Sequence, residues 1–155
     1  AATTFNLGDD AAKKQYRSIL SFNTAGLPDE AVIKSARLLF MKAGVAGANP
    51  FATHGNILVD VRKGYFGTAA LQLTDFQATP SKPGALAIKN TTLKWFSGTL
   101  APANLTSINK AGWTQFRLRF TKDDDNDAVA DYLKIYSGNA GATSRPKLVI
   151  TYYAP

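Results

Sequence analysis

The segment Phe116-Arg117-Leu118-Arg119-Phe120 decides the fold, because apolar and basic residues alternate along its whole length. Successive side chains of a β-strand point to opposite faces, so this pattern directs three apolar residues to a core and two arginines away from it. The same period of two recurs at residues 16–22, 36–41, 57–62, 133–136 and 148–153. The sequence therefore predicts several strands that each bury one face.

Clusters of glycine, proline and short polar residues separate these strands, and helical periodicity is almost absent. The clusters lie at residues 6–10, 25–29, 44–50, 80–84 and 138–146. A weaker strand is predicted around Trp95, a short helix at residues 102–109 and one helical turn at residues 71–77. Together these features predict one all-β domain over residues 1–155, an antiparallel two-sheet β-sandwich of the jelly-roll type.

The composition is that of a folded globular chain, with 45% hydrophobic and 19% charged residues. No apolar run approaches the ~20 residues of a transmembrane helix. The absence of cysteine excludes a disulfide framework and a thiolate metal site. The chain begins with alanine and shows no charged-then-apolar leader, which favours a secreted or cell-surface protein in its mature form, or an excised domain.

The net charge of +7 is unevenly distributed. Five of the eleven acidic residues lie within residues 123–131, so the rest of the chain carries 18 basic against 6 acidic residues. Such a surface favours acidic polysaccharide or another polyanion, or it serves solubility alone. The basic residues are scattered along strands rather than clustered, which argues against a dedicated nucleic-acid site.

Three stretches resemble a known family: YRSILSF (residues 16–22), then GLP (26–28) with AVIKSARL (31–38), and RPKLVITY (145–152). In DNRLRE-type modules a YRSLLKF strand, an LP turn and an AVIxSAxL strand follow one another, and RPxLxVxY closes the domain. The resemblance does not extend to residues 44–111. It implies a jelly-roll β-sandwich of modular secreted or surface proteins, some of whose relatives are similar to carbohydrate-binding modules.

Modules of this type begin with a further strand before the segment that matches residues 4–10. The resemblance therefore leaves two readings of this chain: either it is a truncated module, or its sheet lacks the first edge strand and receives one from a neighbour. An unpaired edge is a template for another chain, and strand addition of this kind builds homo-polymers.

The strongest local motif is the acidic loop, residues 123–131, with the sequence DDDNDAVAD. Carboxylates at alternate positions and one backbone carbonyl supply the hard oxygens that Ca²⁺ requires. The predicted ligands are Asp123, Asp125, Asp127, the carbonyl of Val129, and Asp131. The spacing is similar to calcium loops of thrombospondin type 3 repeats, but Ala128 replaces the usual turn glycine and Lys134 replaces the acidic residue that closes an EF-hand. The alternative is a solvated acidic turn.

Catalytic residues are not predicted. His54 is the only histidine and has neither a nucleophile motif nor a cysteine beside it, so a hydrogen-bonding role in a loop is expected. A glycosidase requires two placed carboxylates, whereas Asp60 is the one carboxylate expected in mid-strand outside the acidic loop. The sequence predicts a protein that is not an enzyme, with a hydrolase as the weakest alternative.

Ligand-binding candidates are basic and aromatic residues on predicted strands: Arg117, Arg119, Lys134, Tyr136 and Trp95. The two arginines, with Lys134 nearby, would form a basic strip suited to carboxylate or sulfate groups. The aromatic residues would stack on sugar rings. The alternatives are an ordinary hydrated sheet face for the basic residues and core packing for the aromatic ones.

These observations predict a calcium-stabilised adhesion or binding module for polysaccharide or a cell-surface glycan. The alternative from another class is a self-assembling structural subunit of a fibre or surface layer, completed by a neighbour's strand. A binding module is expected to be monomeric and a strand-complemented subunit polymeric, so particle size separates the two.

Overall fold

The computed structural model describes all 155 residues, which form an all-β protein of two antiparallel sheets packed against each other. The predicted two-sheet sandwich is thereby confirmed. The ten strands are β1 (Thr4–Asp9), β2 (Gln15–Tyr16), β3 (Ser18–Asn23), β4 (Val32–Gly47), β5 (Ile57–Lys63), β6 (Lys82–Ile88), β7 (Trp95–Thr99), β8 (Trp113–Phe120), β9 (Asp131–Tyr136) and β10 (Lys147–Tyr153). No helix has the length and apolar character needed to span a membrane.

The larger sheet is organised around β4, which is 16 residues long. Its strand order is β10-β4-β9-β1-β2, and β7 also pairs with β4. The first part of β4 pairs with β10, and the segment from Lys42 to Gly47 pairs with β9. The smaller sheet has the order β3-β8-β5-β6. β9 lies between β4 and β1. Its first residue, Asp131, therefore lies beside both of these strands.

The core lies between the sheets and follows the predicted alternation. On β8, Phe116, Leu118 and Phe120 are at most 2% exposed and belong to one continuous apolar cluster. Phe40 of β4 and Phe96 of β7 pack on each other from the opposite sheet, with ring centroids 5.5 Å apart. Each such side chain contributes about 1.5–3 kcal/mol by leaving water.

Three predicted turns are wrong because strands run through them. Residues 6–10 belong largely to β1, and β4 continues through Gly44 to Gly47 with a bulge after Lys42. Residues 80–84 include the start of β6. Glycine and polar residues marked these segments as turns, but pairing with neighbouring strands supplies the backbone hydrogen bonds that keep them extended.

The helical segments are shorter than predicted. Residues 102–109 contain a 3-10 helix at Pro102–Ser107, and residues 71–77 contain one at Leu73–Phe76. The only α-helix is one turn, α1 (Pro50–Thr53), which begins after Asn49; the side chain of Asn49 accepts a hydrogen bond from the Phe51 amide at 3.2 Å. The strand predicted around Trp95 is confirmed as β7.

The connection between β5 and β6 covers the outer face of the smaller sheet. Phe66 in this connection is 1% exposed, and its amide donates to Gln115 Oε1 at 2.7 Å. Arg117 lies beneath the same connection, donates to the carbonyls of Asp75 and Ala78, and stacks on the Phe66 ring at 4.5 Å. A sheet face that alternation alone marks as solvent-facing is therefore largely enclosed.

One edge of the larger sheet is only partly paired. All six residues of β1 pair with β9, whereas β2 pairs with β1 only at Gly8 and Asp9. The outer edge of β1 from Thr4 to Leu7 thus has no strand beside it. At this edge the sequence is compatible with a strand added by a neighbouring chain.

Candidate metal centre

The acidic loop joins β8 to β9 and is folded by its own carboxylates. Asp124 Oδ1 accepts the Asn126 amide at 2.7 Å, Asp125 Oδ1 accepts the Asp127 amide at 3.3 Å, and Asp127 Oδ1 accepts the Val129 amide at 2.7 Å. Side-chain-to-backbone bonds of this type allow a tight loop without regular secondary structure. The loop is therefore shaped locally, as its composition indicates.

Three of the five predicted ligands converge. Carboxylate oxygens of Asp125, Asp127 and Asp131 lie within 4.8 Å of one another, an arrangement that can hold a metal ion. Asp131 is the first residue of β9 and is 1% exposed. Its Oδ1 accepts the Ala48 amide at 3.0 Å, while its buried Oδ2 has no hydrogen-bond partner.

Asp123 does not belong to this group of side-chain ligand atoms, and Val129 was predicted to bind through its backbone carbonyl. Asp123 pairs with the Arg17 guanidinium, which uses both Nε and Nη2. Val129 is 49% exposed, and its amide donates to Asp127 Oδ1. Asp123 therefore ties the start of the acidic loop to Arg17, which lies between β2 and β3. The role of the Val129 carbonyl stays a prediction.

Two residues that the sequence did not indicate complete the centre. Ligand atoms of Asp9 and His54 lie within 4.8 Å of each other and of Asp125. Asp9 ends β1 and is 2% exposed, and His54 follows α1 and is 1% exposed. Strand register brings Asp9 here, because its Cα partner on β9 is Asp131. No local motif marks either residue, so only the pairing of β1 with β9 reveals them.

Three buried polar atoms of the centre's residues have no hydrogen-bond partner: Asp9 Oδ1, His54 Nε2 and Asp131 Oδ2. Buried polar atoms in proteins are nearly always satisfied, and an unsatisfied one costs about 1–3 kcal/mol. Asp9 and Asp131 also lie directly opposite each other on neighbouring strands, where like charges destabilise a sheet. Cations bound to the two groups of ligand atoms, which share Asp125, would supply partners for these atoms.

Burial at the centre affects the ionisation of Asp9. Burial raises the pKa of Asp9 above its ordinary value, and the attraction of the neighbouring His54 only partly opposes that shift. A buried carboxyl group with a raised pKa resists ionisation in the protein alone. A bound divalent cation reverses this preference by favouring the charged form.

The backbone around the centre is packed too closely for side chains at two glycines. Gly47 has φ +71, and a Cβ on it would lie 1.4 Å from the Ala130 carbonyl oxygen. Gly8 has φ +129, and its Cβ would lie 2.1 Å from the Asp131 carbonyl oxygen. These contacts hold β1, β4 and the end of the acidic loop at fixed separations, which positions Asp9 and Asp131.

Ala128→Gly is expected to raise the free energy of unfolding by about 1 kcal/mol, because Ala128 has φ 60 and left-handed backbone disfavours a Cβ. Urea unfolding in calcium buffer measures the change. The matched control is Ala130→Gly, two residues further on, where φ is not positive and added chain entropy is expected to destabilise. Equal destabilisation by both variants would contradict the argument.

A groove of about 390 Å³ lies beside the acidic loop. Its lining combines aromatic, aliphatic and amide side chains with one arginine: Gln15, Tyr16, Arg17, Leu73, Phe76 and Gln77. Arg17 connects the groove to the loop, since it pairs with Asp123 and its Nη1 donates to the Phe76 carbonyl at 2.9 Å. Leu73 is 89% exposed and offers an apolar surface at the groove.

The predicted basic strip does not form. Arg117 is 5% exposed and, with Arg119, bonds to the buried Asp60 carboxylate of β5. Lys134 belongs to β9 in the other sheet, so the three basic residues lie on different layers. The alternation correctly placed both arginines on the outer face of β8, but the connection over that face removes Arg117 from solvent.

The two predicted aromatic platforms lie in the larger sheet. Trp95 of β7 is half-buried, and Lys147 Nζ lies 5.0 Å from its ring centroid. Tyr136 of β9 is also half-buried and shares the outer face of its strand with the exposed Lys134. Neither residue borders the groove beside the acidic loop, so their part in ligand binding stays a prediction.

No protein-family model, curated protein or solved structure matches the chain. The resemblance to DNRLRE-type modules therefore rests on the three quoted stretches alone, and the function is argued below from the metal centre and the groove.

Proposed function

We propose that this chain is a non-catalytic, calcium-stabilised β-sandwich module that binds polysaccharide as part of a secreted or cell-surface protein. The observation that carries the proposal is the group of carboxylates at Asp125, Asp127 and Asp131, in which the buried Asp131 Oδ2 has no hydrogen-bond partner. Ca²⁺ binds six to eight hard oxygens and accepts irregular geometry, which suits carboxylates from a loop and the strand end that follows it.

A structural role for calcium follows from where the ligands lie. Asp9 ends β1, Asp131 begins β9, and Asp125 and Asp127 belong to the loop between the two sheets. Asp9 lies directly opposite Asp131, and an ion at Asp125, Asp127 and Asp131 ties the loop to β9 of the larger sheet. In a chain without cysteine, it performs the crosslinking that disulfides provide elsewhere.

The groove supports the polysaccharide ligand. Tyr16, Phe76 and Leu73 offer apolar surface for the C–H face of a sugar ring, and the amides of Gln15 and Gln77 offer donors and acceptors for hydroxyl groups. The charge of Arg17 is matched by Asp123, so the groove does not depend on an acidic ligand. Its volume lies within the range of about 300–1,000 Å³ typical of ligand pockets.

The test is glycan-array screening of the calcium-loaded protein, followed by calorimetry on the best ligand. Leu73→Ser is expected to weaken binding about tenfold, because it removes apolar contact area at the groove. Leu93→Ser is the matched control, since Leu93 is 68% exposed and is not among the groove residues. Equal affinity in both variants would exclude this groove, and no binding to any saccharide would refute the ligand class.

A strand-complemented structural subunit is the second candidate, because the outer edge of β1 is open from Thr4 to Leu7. Two cavities of about 440 and 350 Å³ share Phe22 and are lined by apolar residues of β1, β3 and β10, among them Phe5 and Ile150. A neighbour's strand added to β1 would cover part of this apolar surface. Light scattering decides: polymers that resist dilution support this candidate, and a stable monomer excludes it.

A further inference from the structure

We propose that the metal centre holds two divalent cations bridged by Asp125: Ca²⁺ at Asp125, Asp127 and Asp131, and an ion of the Zn²⁺ class at Asp9, His54 and Asp125. This inference rests on the metal site of the proposed function and adds a second ion of different chemistry to it.

The ligand atoms divide into two groups rather than one. Asp9, His54 and Asp125 have ligand atoms within 4.8 Å of one another, and so do Asp125, Asp127 and Asp131. Asp125 alone belongs to both groups. A carboxylate has two oxygens and can bridge two cations, which in binuclear protein sites lie about 3.5–4 Å apart.

His54 is oriented as a metal ligand. Its Nδ1 lies 2.6 Å from Thr53 Oγ1, whereas its buried Nε2 has no hydrogen-bond partner although Asp9 Oδ2 is 3.3 Å away. When Nδ1 carries the proton and donates to Thr53, Nε2 presents its lone pair to the centre. Metal-binding histidines are usually held in this way, by a hydrogen bond from the other ring nitrogen.

The position of His54 is fixed by its surroundings. Its amide donates to the Pro50 carbonyl at 2.7 Å, and its carbonyl accepts the Lys122 amide at 3.0 Å, next to the acidic loop. The ring packs on Phe120 with centroids 5.8 Å apart. A rigid, buried imidazole needs no rearrangement to bind an ion, so the site is formed in advance.

Charge balance favours a second ion. Asp9, Asp125, Asp127 and Asp131 carry four negative charges when ionised, and no lysine or arginine forms a salt bridge with any of them. One divalent cation leaves two charges uncompensated in a site where Asp9 and Asp131 are almost fully buried. Two divalent cations neutralise the set, and buried charge is tolerated only when it is compensated.

The donor sets assign the ions. Three carboxylates form a hard-oxygen site of the kind that Ca²⁺ prefers. An imidazole nitrogen with two carboxylates suits Zn²⁺ and related first-row ions, which bind nitrogen and oxygen at about 2.0–2.2 Å. The two subsites are therefore expected to select different metals when both are present.

The test is metal stoichiometry. Protein stripped with EDTA is dialysed against Ca²⁺, Zn²⁺ or both, and bound metal is measured by mass spectrometry. With both ions present, one equivalent of each is expected. H54Q is expected to lower Zn²⁺ affinity at least about 100-fold while it retains one Ca²⁺ and the calcium-dependent rise in melting temperature. T53V, which removes the partner of Nδ1, is expected to lower Zn²⁺ affinity about 10–100-fold.

A measurement on the unaltered chain covers the case in which H54Q does not fold. His54 is the only histidine, so Co²⁺ bound at Nε2 is expected to give one hyperfine-shifted Nδ1–H proton resonance. Zn²⁺ that displaces Ca²⁺ one for one, or Co²⁺ binding without that shifted resonance, overturns the second site and leaves calcium intact. Failure to bind either ion refutes the proposed calcium function as well.

Discussion

Excess EDTA is expected to lower the melting temperature of the calcium-loaded protein by roughly 5–10 °C. Calcium at 100 times its dissociation constant stabilises the folded state by about 2.7 kcal/mol. For a chain of this length, each kcal/mol corresponds to roughly 2–4 °C. The physical reason is that Asp131, buried opposite Asp9, shares a group of carboxylates with Asp125 and Asp127, and removing the cation leaves their repulsion uncompensated. Thermal unfolding by circular dichroism, with and without chelator, measures the shift.

Asp131→Asn separates the metal effect from general destabilisation. The amide oxygen can still accept the Ala48 amide, while the second ligand oxygen is lost. In calcium this variant is expected to melt well below the wild type. In EDTA it is expected to be at least as stable as the wild type, because one of two opposed buried carboxylates has been removed.

Asp123→Asn is the matched control from the same acidic loop. Asp123 pairs with Arg17 and does not belong to either group of ligand atoms, so its calcium response is expected to match that of the wild type. A wild-type protein that melts at the same temperature with and without chelator would refute the metal centre. Loss of the calcium response in the Asp123 variant alone would place the ion elsewhere in the loop.

Local pattern was enough to predict the parts of the fold and site that are local. The alternation in β8 placed Phe116, Leu118 and Phe120 in the core, and the acidic loop gathered Asp125, Asp127 and Asp131 because they lie within seven residues. Such features need no knowledge of distant segments. Strand period and carboxylate spacing are properties of the sequence itself.

The other half of the centre was not predictable because it depends on pairing. Asp9 reaches the centre only because the register of β1 on β9 sets it opposite Asp131, and a slip of one residue would turn it to the other face. His54 arrives through the one-turn helix α1, whose cap at Asn49 looks like an ordinary turn. A lone histidine and a Gly-Asp-Asp segment are common in loops, so neither carries a signal.

Alternation also says which face of a sheet a residue occupies, but not what covers that face. Arg117 was expected in solvent, and the connection from β5 to β6 buries it through the Asp75 and Ala78 carbonyls. This connection lacks strong periodicity, so its path over the sheet was invisible in the sequence. The consequence is functional, since an arginine expected to bind ligand instead holds the smaller sheet together.

Asp60→Ala is expected to lower the free energy of unfolding by about 3–5 kcal/mol, because it leaves the Arg117 guanidinium buried without a counter-charge. Asp60 is 1% exposed and accepts from Arg117 Nη2 at 2.8 Å, from Arg119 Nε at 3.3 Å and from the Gly84 amide at 2.7 Å. Removing the carboxylate therefore breaks its bonds to both β6 and β8. Urea unfolding at neutral pH measures the change.

Two further variants distinguish the ion pair from simple loss of packing. Arg119→Ala is expected to lower the free energy of unfolding by well under half as much. The Arg119 side chain is 24% exposed, and its removal leaves Arg117 paired with Asp60. The double variant Asp60→Ala with Arg117→Met removes both buried charges and is expected to recover much of the lost stability, as apolar replacements of buried ion pairs often do. A double variant no more stable than Asp60→Ala would contradict the argument.

The same ion-pair network determines how the stability of the protein falls at low pH. Burial alone would raise the pKa of Asp60, but the Gly84 amide and the two guanidinium groups outweigh burial, so the pKa lies below its ordinary value of 3.8. A carboxyl group with a depressed folded-state pKa stabilises the protein above its unfolded-state pKa and loses that contribution as the pH falls through the folded value. The wild type is therefore expected to lose stability below about pH 4 more steeply than Asp60→Asn, compared in EDTA so that metal release does not contribute. Parallel curves for the two proteins would mean that protonating Asp60 leaves the free energy of unfolding unchanged. The ionised Asp60–Arg117 pair would then add nothing to folding.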